Sequence, residues 1–285
     1  MEWQYPPEEL SNHVILCNAS SQVRRIVEEL HSPTVGDRPD VVLVLQDDAL
    51  WQEHPEWHPP QEGEFIREHF FVLRCAGGAA SSANLRRAGL CAARAAVILA
   101  DPRQEELADA RSTLVALTIE RIRPEVHTVM ELTSSTNRAH LENTDVNEIV
   151  CVGDLAEKLI AQSCINPGVK TIFANLLTTA HGTCRFFTSP LPPSLWGRTY
   201  RNLVRRAILG RTPYVICGFL LHNPAPPAEE GSCAEAQGAA ELPPHTLVLN
   251  PRGGWEPGKD TALGEGDHLV LLAHELPDLE LMSAL

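Results

Sequence analysis

The sequence has no stretch approaching the roughly 20 consecutive apolar residues that a bilayer-spanning helix needs. Its opening, MEWQYPPEEL, has no basic region followed by an apolar one, so no secretory leader is expected and the chain is placed in the cytoplasm. No C-x-x-C pair occurs among the eight cysteines, which removes the commonest zinc and redox spacings. Most cysteines sit in apolar runs such as VILCN, EIVCVG and YVICGF, so buried free thiols of a reducing compartment are expected. Basic residues are in deficit. With 23 Lys and Arg against 37 Asp and Glu the net charge is -14, which speaks against nucleic-acid binding. H-E-x-x-H, a phosphate-loop lysine motif and a nucleophile elbow around Ser189 are all missing, so no catalysis is expected. His13, His127 and His140 are read as structural.

What is present is core material. Of 285 residues, 44% are hydrophobic, enough for a sizeable core and in keeping with two domains. Strand-like apolar runs fall at 14–17, 41–45, 70–73, 95–99, 128–132 and 148–152, with helical patterns at 22–30, 82–88, 105–121 and 137–142 between them. This alternation predicts an α/β fold, a Rossmann-like, doubly wound and mostly parallel sheet. The strands are near-continuously apolar, as expected when both faces of a parallel sheet are covered. One interruption, DDALWQEHPEWHPPQEGEFIREH, is expected to be a surface loop. Its Glu53, His54, Glu56 and His58 are candidate metal ligands in type, but nothing in the pattern aims them at one point.

From Asp154 the pattern changes. Helical stretches at 155–164 and 169–179 are broken at Asn166-Pro167-Gly168, where Pro and Gly force a bend. Leu155, Leu159, Ile160 and Ile165 line one, and Val169, Ile172, Phe173, Leu176 and Leu177 the other. A pair this apolar needs a partner surface, either its own domain or a second copy. The rest is small and β-rich, with strands at 185–188, 214–221, 246–249 and 268–272 and a helix at 200–208. The low-complexity segment 223–244 reads as a flexible insertion. The expected organisation is a Rossmann-like domain at 11–153, a crossover helix pair at 154–182 and a C-terminal α+β lobe at 183–275.

The first strand-turn-helix, LCNASSQVRRIVEEL, stands where a dinucleotide-binding chain carries G-x-G-x-x-G. The run here is Asn18-Ala19-Ser20-Ser21-Gln22-Val23. The missing glycines would permit the turn, let the backbone reach the pyrophosphate, and let the helix pack on its strand. Asn18 tolerates a left-handed conformation and can replace the first. Val23 widens the helix-strand spacing, and Gln46, with Asp47 and Asp48 beyond it, takes the place of the acid that grips the ribose. The replaced turn and ribose acid argue against NAD and leave any cofactor unknown. Ser20 and Ser21 either receive a small anion at the helix N-terminus or simply cap the helix. Asp101 and Glu131 lie at strand ends, at the sheet edge where ligands bind. Each either meets a ligand or satisfies its own fold. The candidate ligand-binding set is therefore Asn18, Ser20, Ser21, Gln46, Asp47, Asp101 and Glu131.

In this order and spacing the chain resembles the RCK family, the regulator-of-K+-conductance domains of potassium-channel gating rings and of Trk/Ktr-type transport subunits. The likeness rests on NHVILCNASSQVRRIVEEL, on NLRRAGL leading into ARAAVILAD, on NRAHL running to NEIV and the helix pair, and on LWGRTYRNL followed by LGEGDHLVLLA. It implies a sheet domain, a crossover pair that makes a dimer, and a small C-terminal lobe. It also implies assembly into tetrameric or octameric rings that bias a membrane pore, with that pore on a partner subunit or another segment of the chain. Leu159, Ile172, Phe173, Leu176 and Leu177 are the candidate dimer contacts. Ca2+-gated members use carboxylates near the domain junction and in the C-terminal lobe. The matching stretches here, SCIN at 163–166 and RFFTS at 185–189, hold none, so that site is not carried over and the metal is unknown. The competing expectation is a nicotinamide-dependent oxidoreductase or a free-standing nucleotide-binding protein.

Overall fold

A computed structural model describes residues 6, 9–32, 35, 38–46, 49–59, 68–101, 107–141, 144, 146–180, 182–223 and 245–282. The chain forms two compact units. The first runs to Ile172 and takes back 179–181; the second comprises Phe173–Thr178 and the residues from Gly182 onward.

The first unit is built on β1 (Val14–Cys17), β2 (Val41–Leu45), β3 (Phe70–Arg74), β4 (Ala95–Ile98), β5 (His127–Leu132) and β6 (Glu148–Cys151). They form one six-stranded sheet in the order β3-β2-β1-β4-β5-β6, and every pairing is parallel. Side-chain alternation explains why its central strands read as unbroken apolar runs. Ile15, Cys17, Val42 and Val44 enter one core with Leu85 of α3 (Ser82–Arg87) and Val115 and Ile119 of α4 (Ala108–Ile122). Val14, Leu16, Val41 and Leu43 enter a second core with Val23 and Val27 of α1 (Val23–Leu30). The order reverses between β1 and β4, and in such sheets the crevice outside the strand ends there is where ligands bind.

The surface-loop expectation for 47–69 is corrected. Residues Ala49–Glu53 are helical (here α2), and Pro55–Trp57 form a 3-10 turn. Trp51 is wholly buried, stacked on His58 at 4.3 Å and tilted against Phe70 at 6.5 Å. His58 Nε2 lies 2.6 Å from the Trp51 carbonyl, and His54 pairs with Glu56 at 2.9 Å while stacking on Trp57. Trp51, His54, Glu56, Trp57 and His58 are thus engaged in packing and local polar pairs. Asp47 and Asp48 lie outside the described residues, as do 102–106, 224–244 and Cys233. The helical signal at 137–142 is a 3-10 segment, Ser135–Leu141.

Helix α5 (Val152–Ile165) and helix α6 (Val169–Leu176) flank a bend at Gly168, whose φ of +95° favours glycine. Helical structure ends at Leu176, short of the expected 179. Thr179 is instead hydrogen-bonded to Glu29, through its N–H at 2.6 Å and its hydroxyl at 2.6 Å to the carboxylate.

In the second unit β7 (Arg185–Pro190), β8 (Tyr214–His222), β9 (His245–Leu249) and β10 (His268–Ala273) form an antiparallel sheet ordered β7-β10-β8-β9. Helix α7 (Tyr200–Leu209) contributes Tyr200, Leu203 and Ala207 to a core with Ile216, Phe219, Leu269 and Leu271. Thr199 caps this helix by accepting the Asn202 N–H at 3.3 Å. At Gly218 a Cβ would come within 2.2 Å of the Val248 carbonyl oxygen. Only glycine lets β9 approach at that position.

The buried-thiol expectation holds for one residue. Cys17 is buried, and burial pushes its thiol up to about 12. Of the other described cysteines, Cys91 and Cys164 are exposed and the remainder half-buried.

Candidate functional site

The sequence-predicted polar residues that fall in the described regions gather at the C-terminal edge of the parallel sheet. Asn18 leaves β1 at φ 74°, the left-handed conformation that glycine would otherwise supply. Its side-chain amide donates to the Leu99 carbonyl at 2.9 Å, and its backbone N–H donates to Val44 at 3.2 Å. The turn is thereby fastened to the strands on both sides of β1. Ser20 is buried, and its hydroxyl accepts the Gln22 N–H at 3.2 Å. This closes the turn one residue before α1, so Ser20 serves the loop rather than capping the helix. Ser21 is exposed. Val23 is fully buried, filling space that a third glycine would leave open.

Glu131 at the end of β5 reaches across the switch point. One carboxylate oxygen accepts the Ala100 N–H at 3.0 Å and the other accepts the Gln22 side-chain amide. Asp101 is buried and meets Arg111 of α4 at 3.3 Å. The same guanidinium nitrogen lies 3.3 Å from the Gln46 side-chain oxygen, beyond the end of β2. Gly78 packs over Gln46, where an added Cβ would sit 3.1 Å from the Gln46 Cβ. Nearby, the Asp109 carboxylate accepts from the N–H and hydroxyl of Thr133, the Ser134 N–H and the Asn137 amide. Burial alone would raise its pKa, but these donors outweigh burial and hold it below the usual carboxylate range.

The edge is thus spanned by three sets of internal polar contacts: Asn18 to Leu99, Gln22 to Glu131 to Ala100, and Gln46 to Arg111 to Asp101. The acids that sequence reasoning places there are real features of the edge, and the structure gives both of them partners from the chain itself. Gln22, Arg111 and Asp109 were missed. Gln22 was legible as the polar position four residues past Asn18, whereas nothing in the sequence joins Arg111 to Gln46 or Asp101. His13 lies outside this edge, buried, with Nε2 2.8 Å from the Ala88 carbonyl; desolvation lowers its pKa. His127 is exposed, and the side chain of His140 lies outside the described residues.

The helix pair is the second candidate site. No residue of α5 or α6 is fully buried. Ile172 is 57% exposed, Phe173 45% and Leu177 79%, with Leu155, Ile160 and Ile165 also exposed, while Leu159 and Leu176 are half-buried. Each of these two consecutive helices thus exposes large apolar side chains, the kind of surface that suits a partner.

A doubly wound sheet whose first turn is closed by its own side chains, followed by an apolar helix pair and a small antiparallel sheet, is a variant of the dinucleotide-binding fold. The family model described as the calcium-activated potassium channel slowpoke-like RCK domain matches residues 9–130. The model of the calcium-activated BK potassium channel alpha subunit matches residues 147–212. The calcium-gated potassium channel TvoK of Thermoplasma volcanium is 27% identical over 164 residues, covering 56% of this chain and 42% of the relative. The calcium-activated potassium channel slo-1 of Caenorhabditis elegans is 28% identical over 184 residues, 61% of this chain and 15% of that one. The human SLO3 gating ring shares the fold at a TM-score of 0.57 and 16% identity, over 92% of this chain and 44% of that chain. Over residues 9–130 the chain is similar to the RCK domains of calcium-activated potassium channels, and over 147–212 to the alpha subunit of such a channel. It spans less than half the length of these relatives, and the relatives named are channels, not enzymes. No helix among the described residues is long and apolar enough to cross a membrane.

Proposed function

We propose that this RCK domain is a cytoplasmic gating-ring subunit at the inner face of the membrane, coupling its own assembly geometry to a potassium-conducting pore and performing no chemistry. The observation that carries the proposal is the apolar face of α5 and α6, left open after a completed sheet. A second copy supplies the same face, and a two-fold pair lets the patch cover itself. Leu159, Ile172, Phe173, Leu176 and Leu177 form the contact, with Phe173 and Leu177, four residues apart on one face, at its centre. Pairs of this kind build the tetrameric or octameric ring, and the pore belongs to a partner subunit or another segment of the chain.

Asn18, Ser20, Ser21, Gln46, Asp47, Asp101 and Glu131 remain the sensing edge in this reading. A ligand acts there by displacing Gln22 from Glu131 or Arg111 from Asp101, so that occupancy is read as movement of the α1 turn or of α4. Melting with and without NADH and ATP tests the regulatory reading. A ligand at 100 times its dissociation constant stabilises by about 2.7 kcal/mol. No shift with NADH is expected. A shift of several degrees with NADH, together with hydride transfer to any substrate, would overturn the proposal in favour of an oxidoreductase.

A further inference from the structure

Three histidines stand at one end of the antiparallel sheet. His222 ends β8 and pairs in register with His245, the first residue of β9. His268 begins β10 opposite Leu220, two residues before His222 on the same strand face. All three side chains therefore leave the same face. Their rings are neighbours: His222 to His245 is 5.5 Å between centroids, and His245 to His268 is 5.3 Å. None is fully buried.

The backbone around them is held. Asp267 accepts the His222 N–H at 2.8 Å with one carboxylate oxygen and the Gly264 N–H at 2.7 Å with the other. This binds the turn that carries His268 to the strand end that carries His222. Gly266, at φ +79°, lies under the His222 ring, where a Cβ would come within 2.9 Å. Across the hairpin the Asn223 amide donates to the Thr246 hydroxyl at 2.9 Å. The Nδ1 of His268 lies 3.1 Å from the Gly266 carbonyl oxygen. A proton on Nδ1 donates to that carbonyl and leaves the Nε2 lone pair outward, the outer-shell arrangement that metal-ligating histidines adopt.

We propose that His222, His245 and His268 form a site for a borderline divalent transition ion of the Zn2+ class, clamping β8, β9 and β10 together. Zinc sits ~2.0–2.1 Å from an imidazole nitrogen, and the nitrogen lies ~1.1 Å from its ring centre, so two rings at a tetrahedral angle place their centroids ~5 Å apart. The separations of His245 from His222 and from His268 fit that spacing. Among the described residues no three ligating side chains already converge, so binding proceeds by rotation of the His222 and His245 rings about χ2 while His268 keeps its contact with Gly266, with solvent completing the coordination. A chain of net charge -14 favours cation approach.

Co2+ is the probe, because a tetrahedral site gives intense visible absorption and thiolate ligands add a separate near-ultraviolet band. Titration of the chelator-treated chain should give one tight equivalent with no thiolate band, displaced by Zn2+. His222→Ala, His245→Ala and His268→Ala should each weaken it at least ~10-fold, given that loss of even outer-shell partners costs 10–100-fold. His274→Ala, which removes the partner 3.3 Å from the Cys184 sulfur, should leave it unchanged. Matching melts in chelator show that each variant folds, and His268→Gln replaces any that does not. A titration unaltered in the triple variant, a thiolate band, or sensitivity to His274→Ala would overturn the assignment.

Discussion

Glu131 gives the sharpest test of the closed edge. Its two oxygens accept from the Ala100 N–H and the Gln22 amide, so Glu131→Ala leaves two donors unanswered in a partly buried crevice. An unsatisfied buried donor costs about 1–3 kcal/mol, and bonds to a charged acceptor lie at the upper end. The expected loss is about 2–3 kcal/mol. Glu131→Gln behaves differently: its carbonyl oxygen still accepts from Ala100, and its amide faces Gln22, whose own amide can rotate to present oxygen. That variant should lose about 1 kcal/mol, the difference between a charge-assisted and a neutral bond. Urea unfolding followed by tryptophan fluorescence reads both by linear extrapolation. If Glu131→Ala matches wild type within about 0.5 kcal/mol, a margin usual for surface changes away from special contacts, the edge is not closed by this residue. If Glu131→Gln is as damaging as Glu131→Ala, the negative charge itself is required and the hydrogen-bond account fails.

Trp51→Ala should cost about 3–5 kcal/mol in the same assay, as expected for a fully buried tryptophan; a loss below about 1 kcal/mol, too small for a core truncation, would return this segment to the surface. Asp109 has a folded pKa below its unfolded one, so its contribution is present above pH ~4 and lost as pH falls through the folded value. The destabilisation by Asp109→Asn should therefore be greatest near neutral pH and fade in acid. A difference independent of pH between 2 and 7, a window spanning the ordinary carboxylate range of ~4, would contradict the hydrogen-bond assignment.

The sheet was legible because β1 and β2 present apolar residues to both cores, and such strands stand out against polar connections. The left-handed turn at Asn18 was legible for a local reason, since few residue types tolerate that φ. Trp51 was hidden among Pro, His and Glu, because its burial depends on Phe70 and His58 approaching in space. The pairing of Arg111 with Gln46 and Asp101 joins residues 65 and 10 positions apart, and no periodicity encodes it. The three histidines escaped notice for the same reason: the antiparallel registers that collect them exist only in the folded lobe.

Sedimentation of wild type and Phe173→Asp across the micromolar range tests the gating-ring account most directly. The account predicts a wild type that sediments as a dimer or a multiple of it. The Phe173→Asp chain should sediment as a monomer with an unchanged melt in dilute solution, because the new carboxylate enters a dry contact only in the pair, at a cost of several kcal/mol. A wild type that remains monomeric at tens of micromolar, or a Phe173→Asp chain that still pairs, would contradict it.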